Sequence, residues 1–282
     1  MLPVARLLLL FLCVVRLSRA QTPAKAIEWG FGTAVGQLSF TNGSRESALG
    51  VTIAAHVWDW LDISVNPTYA WAESPSVQVG PLVQPARRVS GLTDLPLNLW
   101  ASHELPGAWS PSIGFSLGIT LPTGDTATLG SGQLGLGAGI DVAFSPTDQF
   151  AFDVGAERSL SNGYSTGLAA SAATSLALSG RIKSGAVSYG LSISGDVGAV
   201  PSGFENARSV AAGVGIPLDG GMSVNVAASA GLTAGSPAWA FSVGVGTTPS
   251  GVAAASIAPY QMLRHAFGGG RKLTTKPKTK GP

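Results

Sequence analysis

Three histidines, fifteen carboxylates and a single cysteine hold whatever acid–base, metal or redox chemistry this chain could perform. His56, His103 and His265 share no metal-ligand spacing. His56 and Asp62 are a different matter. They lie symmetrically about Asp59 in the run Trp58-Asp59-Trp60, so a hairpin there puts both on one face. A His–Asp pair orients an imidazole, the first requirement of a general base. Catalysis would also need a nucleophile or activated water and an oxyanion site, and no motif supplies them. The pair reads as a structural ion pair. Gly135-x-Gly137-x-Gly139 lacks the third-glycine spacing and the following helix of a dinucleotide fingerprint. Cys13, in an apolar leader, leaves the rest of the chain without thiol or disulfide. No catalytic residue, cofactor or metal ligand is expected, and the chain reads as a non-enzyme.

The glycine run has another explanation in the element that carries it. From Leu134 to Phe144 the even positions are Leu134, Leu136, Ala138, Ile140, Val142 and Phe144, while the odd ones are Gln133, Gly135, Gly137, Gly139, Asp141 and Ala143. A two-residue period is a β-strand with one apolar face. On a soluble sandwich the opposite face would carry Lys, Glu and Thr, yet here it is glycine, alanine and one aspartate. The apolar face is therefore expected to look outward into lipid, and the fold class is all-β: a transmembrane antiparallel up-and-down β-barrel.

Composition agrees. Charged residues are 11% of the chain, and 38 of its 282 residues are glycine; soluble proteins carry about 25% charged residues. Of the 17 basic residues, three lie in the N-terminal segment and six beyond residue 250, which leaves eight against all 15 acidic ones, a body charge of −7. The basic residues of the tail lack the interleaved aromatics that stack bases, so no nucleic-acid partner is expected. Residues 1–20 combine a basic start, an apolar run from Leu7 to Val15 and the small-x-small site Ser18-Arg19-Ala20, and read as a signal peptide removed before Gln21. A short membrane anchor is the alternative, although nine apolar residues fall below the ~18 a spanning helix needs. Residues 21–249 form the barrel. Residues 250–282, basic and glycine-containing, read as a disordered tail that could visit an acidic pore mouth.

About twelve strands are expected. The first runs near Ile27 to Phe40, with a bulge near Gly36 where the apolar parity shifts to Leu38 and Phe40. The others begin near Leu49, Leu61, Leu95, Ile113, Leu134, Phe150, Leu168, Val187, Val210, Met222 and Trp239. Pro96 sits in the fourth, where it removes a ladder donor. Asn42-Gly43 turns the first hairpin; with Ser44 it also fits a glycosylation acceptor. Connections at 58–60, 145–148 and 218–221 are short, and those at 73–90, 122–132 and 198–207 are long. In outer-membrane barrels short turns are periplasmic and long loops face out. Trp58, Trp60, Trp71, Trp100, Trp109, Phe144 and Phe150 gather at strand ends, where interfacial girdles lie.

Ser90-Gly91-Leu92-Thr93-Asp94-Leu95, then Leu121-Pro122-Thr123-Gly124-Asp125 and Leu129-Gly130-Ser131-Gly132, resemble the outer-membrane proteins grouped as phenol-degradation meta-pathway transporters. The similar region covers Gly91 to Leu160. The resemblance implies a barrel that passes small hydrophobic or aromatic compounds and is inserted by the barrel-assembly machinery into outer-membrane lipid of a Gram-negative cell. Members of that group end on a terminal aromatic residue, whereas this chain continues into its basic tail.

Polar parity along the strands selects Asp62, Asp94, Asn98, Asp141, Asp153, Glu157, Asp196 and Asn225 as residues lining a lumen among many Gly, Ala and Ser. The expected function is an outer-membrane channel for small solutes. A non-conducting structural or adhesive barrel and a secreted glycine-rich β protein are the alternatives. Solute, pore width and oligomeric state are not encoded in any motif.

Overall fold

The computed structural model describes residues 27–79, 82–126, 129–159, 174–198 and 205–247. The expected signal peptide, the expected basic tail and the start of the expected eighth strand at Leu168 lie outside them. Strands β1 (Glu28–Ser39) and β2 (Arg45–Trp58) lead into β3, which runs over Leu61–Val65 and resumes at Thr68–Ser74. β4 is split in the same way into Arg87–Leu92 and Leu95–Glu104. Then come β5 (Ser112–Leu121), β6 (Gly135–Thr147), β7 (Phe150–Ser159), β8 (Thr174–Ser184), β9 (Val187–Val197), β10 (Arg208–Pro217), β11 (Met222–Gly231) and β12 (Trp239–Thr247). With β3 and β4 each counted once, the fourteen segments of the sheet are twelve staves, every one antiparallel to its neighbours. β1 pairs with β2 on one side and with β12 on the other, which closes the barrel.

The two interruptions face each other and share a cause. Pro67 has no N–H to give the ladder, so β3 breaks at Asn66-Pro67 beside the Thr93-Asp94 break in β4. Carbonyls and amides still pair across the gap: Val51 N–H donates to Pro67 O at 3.0 Å, Asn66 N–H to Pro96 O at 3.2 Å, and Thr93 N–H to Thr68 O at 3.0 Å. Pro96 is thus accommodated next to a place where the ladder already changes partners. β2, β3 and β4 continue past the breaks as a taller wall, where Arg45–Gly50 pairs with Thr68–Glu73 and Tyr69–Ser74 with Arg87–Leu92. The long loop expected over residues 73–90 is therefore largely strand, with a small hairpin of Val77–Val79 and Leu82–Gln84 at its tip.

No bulge exists at Gly36. The β1–β2 register runs without a shift from Glu28↔His56 to Ser39↔Arg45. Leu38 keeps the inward parity and is 1% exposed. One apolar residue inside the barrel had mimicked a parity switch. A register irregularity does occur later, between Phe144 and Thr147, where β6 extends through Ser145-Pro146 before turning at Asp148.

Side chains alternate as the period demands. Ile140 is 45% exposed and its neighbour Asp141 is 7% exposed. The exposed large apolar residues include Phe31, Val51, Val154, Leu178, Leu191 and Phe241, drawn from strands all round the barrel. Soluble monomers rarely expose a contiguous apolar patch beyond a few hundred Å². A belt circling a closed sheet is a lipid-facing surface, because only helices and closed barrels satisfy every backbone group inside a bilayer. Aromatic pairs mark its margins: Trp58 stacks on Trp60 with ring centroids 5.2 Å apart, Phe144 on Phe152 at 5.0 Å, and Tyr69 meets Trp71 edge-on at 4.9 Å.

Both ends of the described barrel chain, Ile27 and Thr247, lie at the rim where β2–β3, β6–β7, β8–β9 and β10–β11 make short turns. The β4–β5 connection over residues 105–111 lies with the short turns and is as long as the one over 232–238. The opposite rim carries the longer connections, apart from the Phe40–Ser44 turn. There Gly43 adopts a φ of +83°, and Phe40 accepts the Gly43 N–H at 3.0 Å.

Candidate functional site: the inner wall

The inner face is built mostly from residues with little or no side chain, so the few larger groups determine its character. Near the rim of short turns, His56 of β2 and Asp62 of β3 occupy one ladder position, and Nδ1 of the imidazole lies 2.8 Å from Asp62 Oδ1. The other ring nitrogen is 3.8 Å from Asp59 Oδ1. The Asp62 bond staples the end of the β2–β3 hairpin, while Nε2 is buried without a protein hydrogen-bond partner. The expected His56–Asp62 pair is present, and its geometry suits a structural clamp.

Asp62 is register partner to Trp100 of β4. Trp100 points inward and is 8% exposed, so it does not belong to the interfacial girdle in which its sequence position suggested it lay. Its indole N–H donates to Asp141 Oδ1 of β6 at 3.4 Å, across β5. The reach is possible because β5 presents Gly114 there: a Cβ on Gly114 would lie 2.5 Å from Asp141 Oδ1. Trp100 was legible after all. It shares parity with Asn98 and Ser102, and that parity outweighs the general preference of aromatics for strand ends.

Asn98, two residues earlier, is 8% exposed, and its Oδ1 is buried without a protein hydrogen-bond partner; Asn66 Oδ1 is in the same position. Asp153 of β7 accepts a short hydrogen bond from the Ser179 hydroxyl of β8. Arg181, next inward on β8, lies within electrostatic range of that carboxylate. Lys183 follows at the rim. Neither cation was among the expected lining residues, although their parity with Ser179 places them on the same face. Asp196 of β9 is 7% exposed and accepts the Ser175 hydroxyl at 2.6 Å. Glu157 sits opposite Ser175 and Gly139, and Asn225 opposite Gly215 with its amide donating to Ser223 Oγ at 3.3 Å.

Asp94 has a different task. It lies in the gap of β4, and its two carboxylate oxygens accept the backbone N–H groups of Gly124 at 3.0 Å and Ser131 at 2.7 Å. One side chain thus gathers both ends of the connection between β5 and β6. Gly124 and Gly130 touch there so closely that a Cβ on Gly130 would fall 2.2 Å from the Gly124 carbonyl oxygen.

The β9–β12 sector is barer. It offers Ser188, Gly190, Ser192, Gly213, Ala227, Ser242 and Gly244 to the interior. A Cβ on Gly190 would find only the Gly180 carbonyl oxygen, at 3.9 Å.

A closed twelve-stave antiparallel barrel with an apolar outside and a polar, small-residue inside is a transmembrane β-barrel. The solved structures that resemble it say the same of the fold. A KdgM porin superposes with a TM-score of 0.51 at 9% identity, covering 78% of this chain and 99% of that one. A KdgM porin in complex with disordered oligogalacturonate gives 0.50 at 11% identity over 78% and 99%. A NanC porin gives 0.50 at 9% identity over 78% and 100%. No protein-family model matches the chain. No curated protein matches it either.

Proposed function

We propose that this protein is an outer-membrane channel for small hydrophilic solutes, exported by its N-terminal segment and inserted from the periplasmic side of a Gram-negative cell. The observation that carries the reading is the contrast between an apolar outside and an inner wall of glycine, alanine and serine with polar groups set among them. Small side chains leave cross-section free; a barrel of about twelve strands falls between filled eight-stranded and open sixteen-stranded kinds. Asp62, Asn98, Asp141, Asp153, Glu157, Asp196 and Asn225 line the passage, while Asp94 holds the loop above it. The unpaired amide oxygens of Asn66 and Asn98 support a hydrated interior, since a buried acceptor left without a partner costs about 1–3 kcal/mol.

The wall also bears on solute class. Among the described residues on the inner parity, the carboxylates Glu46, Asp62, Asp141, Asp153, Glu157 and Asp196 outnumber the cations Arg87, Arg181 and Lys183. The oligogalacturonate bound by the KdgM porin is a polyanion, and an acidic wall disfavours one. Trp100 is the only aromatic on the inner strand faces among the described residues, and its ring is buried against Asp141, so a path for aromatic compounds, implied by the motif resemblance, has little support from the wall. Neutral or cationic solutes fit better.

Planar-bilayer recording on refolded protein tests this. Discrete conductance steps and a reversal potential on the cation-selective side under a KCl gradient are expected. A barrel that folds and conducts nothing would establish the alternative, a structural or adhesive barrel.

A further inference from the structure

The arginines of the barrel are distributed unevenly. Of the six among the described residues, Arg181 points inward near the short turns. The other five, Arg45, Arg87, Arg88, Arg158 and Arg208, lie at the end with long connections. The short turns at the other end carry Asp59, Asp148 and Asp219 instead.

Register separates Arg87, which shares parity with the inner face, from the remaining four. Arg45 pairs with Glu73, and Glu73 with Arg88, on the outward parity of Leu49, Tyr69 and Leu92. Arg158 pairs with Ala138 on one side and Thr174 on the other, on the outward parity of Val154. Arg208 pairs with Gly195 on the parity of Val210 and Ile193. All four are exposed, Arg88 at 82%. Each stands one or two outward positions above apolar belt residues: Leu49 below Arg45, Leu92 below Arg88, Val154 below Arg158, Val210 below Arg208. Trp239 shares the ladder row of Arg45 through Ser39, and Trp71 lies next to that row. The Arg208 stem lies across Gly195, where a Cβ would meet its Cγ at 3.0 Å, so the aliphatic part rests on bare backbone and the guanidinium extends beyond it. Among the described strand residues at this end, Glu73, bonded to Arg88 at 3.2 Å, is the outward carboxylate, and Glu205, in the loop before Arg208, accepts the Ala234 N–H.

Resting on the membrane placement proposed above, we infer that Arg45, Arg88, Arg158 and Arg208 form a rim that binds the phosphate groups of phosphorylated lipid in the outer leaflet. A guanidinium at the edge of an apolar belt, level with interfacial tryptophans, meets lipid headgroups, and its planar fork matches phosphate oxygens in a bidentate way. The aspartates of the opposite rim would repel the same headgroups, so the charge division also sets the direction in which the barrel sits. The passage is a separate feature: none of the four faces it.

Full-length protein folded in detergent micelles provides the test, read by the temperature at which the heat-modifiable folded band is lost. Lipid A bearing two phosphates is expected to raise that temperature, while dephosphorylated lipid A and inorganic phosphate leave it in place. Replacing the four arginines by glutamine abolishes the rise, and Asp59→Asn with Asp148→Asn and Asp219→Asn preserves it. Should the fourfold variant fail to fold, Arg45→Gln/Arg88→Gln and Arg158→Gln/Arg208→Gln are measured separately, each losing part of the rise. An undiminished rise in the glutamine variants, or an equal rise with dephosphorylated lipid, overturns the rim; a rise with inorganic phosphate alone would make it a free-anion site and overturn the lipid assignment. Conductance of the glutamine variants in uncharged lipid stays as in the parent protein, so failure of the channel reading and failure of the rim are seen in different measurements.

Discussion

Asp94 and Gly124, thirty positions apart, meet through a carboxylate-to-amide hydrogen bond of 3.0 Å, and the second oxygen of the same carboxylate takes the Ser131 N–H at 2.7 Å. Two short motifs that look like independent turns are one device. The aspartate sits where β4 breaks, and the loop after β5 folds back onto it, covering the edge that β5 leaves open beyond the Leu95↔Leu121 pair.

Asp94→Ala removes the acceptor from two amides, and losing it is expected to cost about 1–3 kcal/mol of barrel stability. Limited proteolysis should cut between Pro122 and Gln133 in the variant before it cuts the parent. Asp94→Asn keeps one oxygen and should fall between the two. Equal cleavage rates in parent and alanine variant would show that the loop is held by other contacts.

Outward and inward positions differ in their tolerance of charge. Ile140→Arg sets a cation in lipid, at about 2–4 kcal/mol near the midplane, whereas Gly190→Glu enters the interior opposite Arg181, where a Cβ has room and the charges are opposite. Refolding yield into vesicles should drop for Ile140→Arg alone. Gly139 is unsuitable as the inward control, because a Cβ there would meet Ser116 Oγ at 2.5 Å and the Ala156 carbonyl oxygen at 3.2 Å. A worse yield for Gly190→Glu than for Ile140→Arg would reverse the two faces.

Gly114→Ala should push the Asp141 carboxylate away from the Trp100 indole, since the new methyl would claim the space that carboxylate occupies. Near-ultraviolet circular dichroism should then change in the tryptophan region, and Asp141→Asn, which keeps the acceptor, should change it less. An unchanged spectrum in the alanine variant would mean that the indole is held by packing alone.

Cysteines introduced in place of Ala86, on the long connection, and of Asp148, in a short turn, report orientation against a single natural cysteine at position 13. A membrane-impermeant maleimide applied to intact cells should label the first and spare the second. Labelling of Asp148→Cys only would invert the barrel.

Alternation along single strands determined by itself much of what this protein is. Leu134 to Phe144 displayed an apolar face and a glycine face, and such a pattern has one stable home, because burying the apolar side against a soluble core would leave glycine and aspartate as the solvent surface. Ladder geometry at the His56–Asp62 hairpin was legible too, since a tight turn fixes which residues oppose each other. Other features needed the closed sheet. Leu38 reads as a parity switch until its register with Glu46 shows that it points inward. Trp100 reads inward by its parity with Asn98, but only the closed sheet shows that Gly114 opens its path to Asp141. Asp94 reads as one more polar inner position until the strand break turns it toward a loop thirty residues further on. A period of two tells only which residues share a face; which neighbour fills the space beside a glycine, and where a ladder must break, are decided between strands distant in sequence, and only the tertiary structure brings those together.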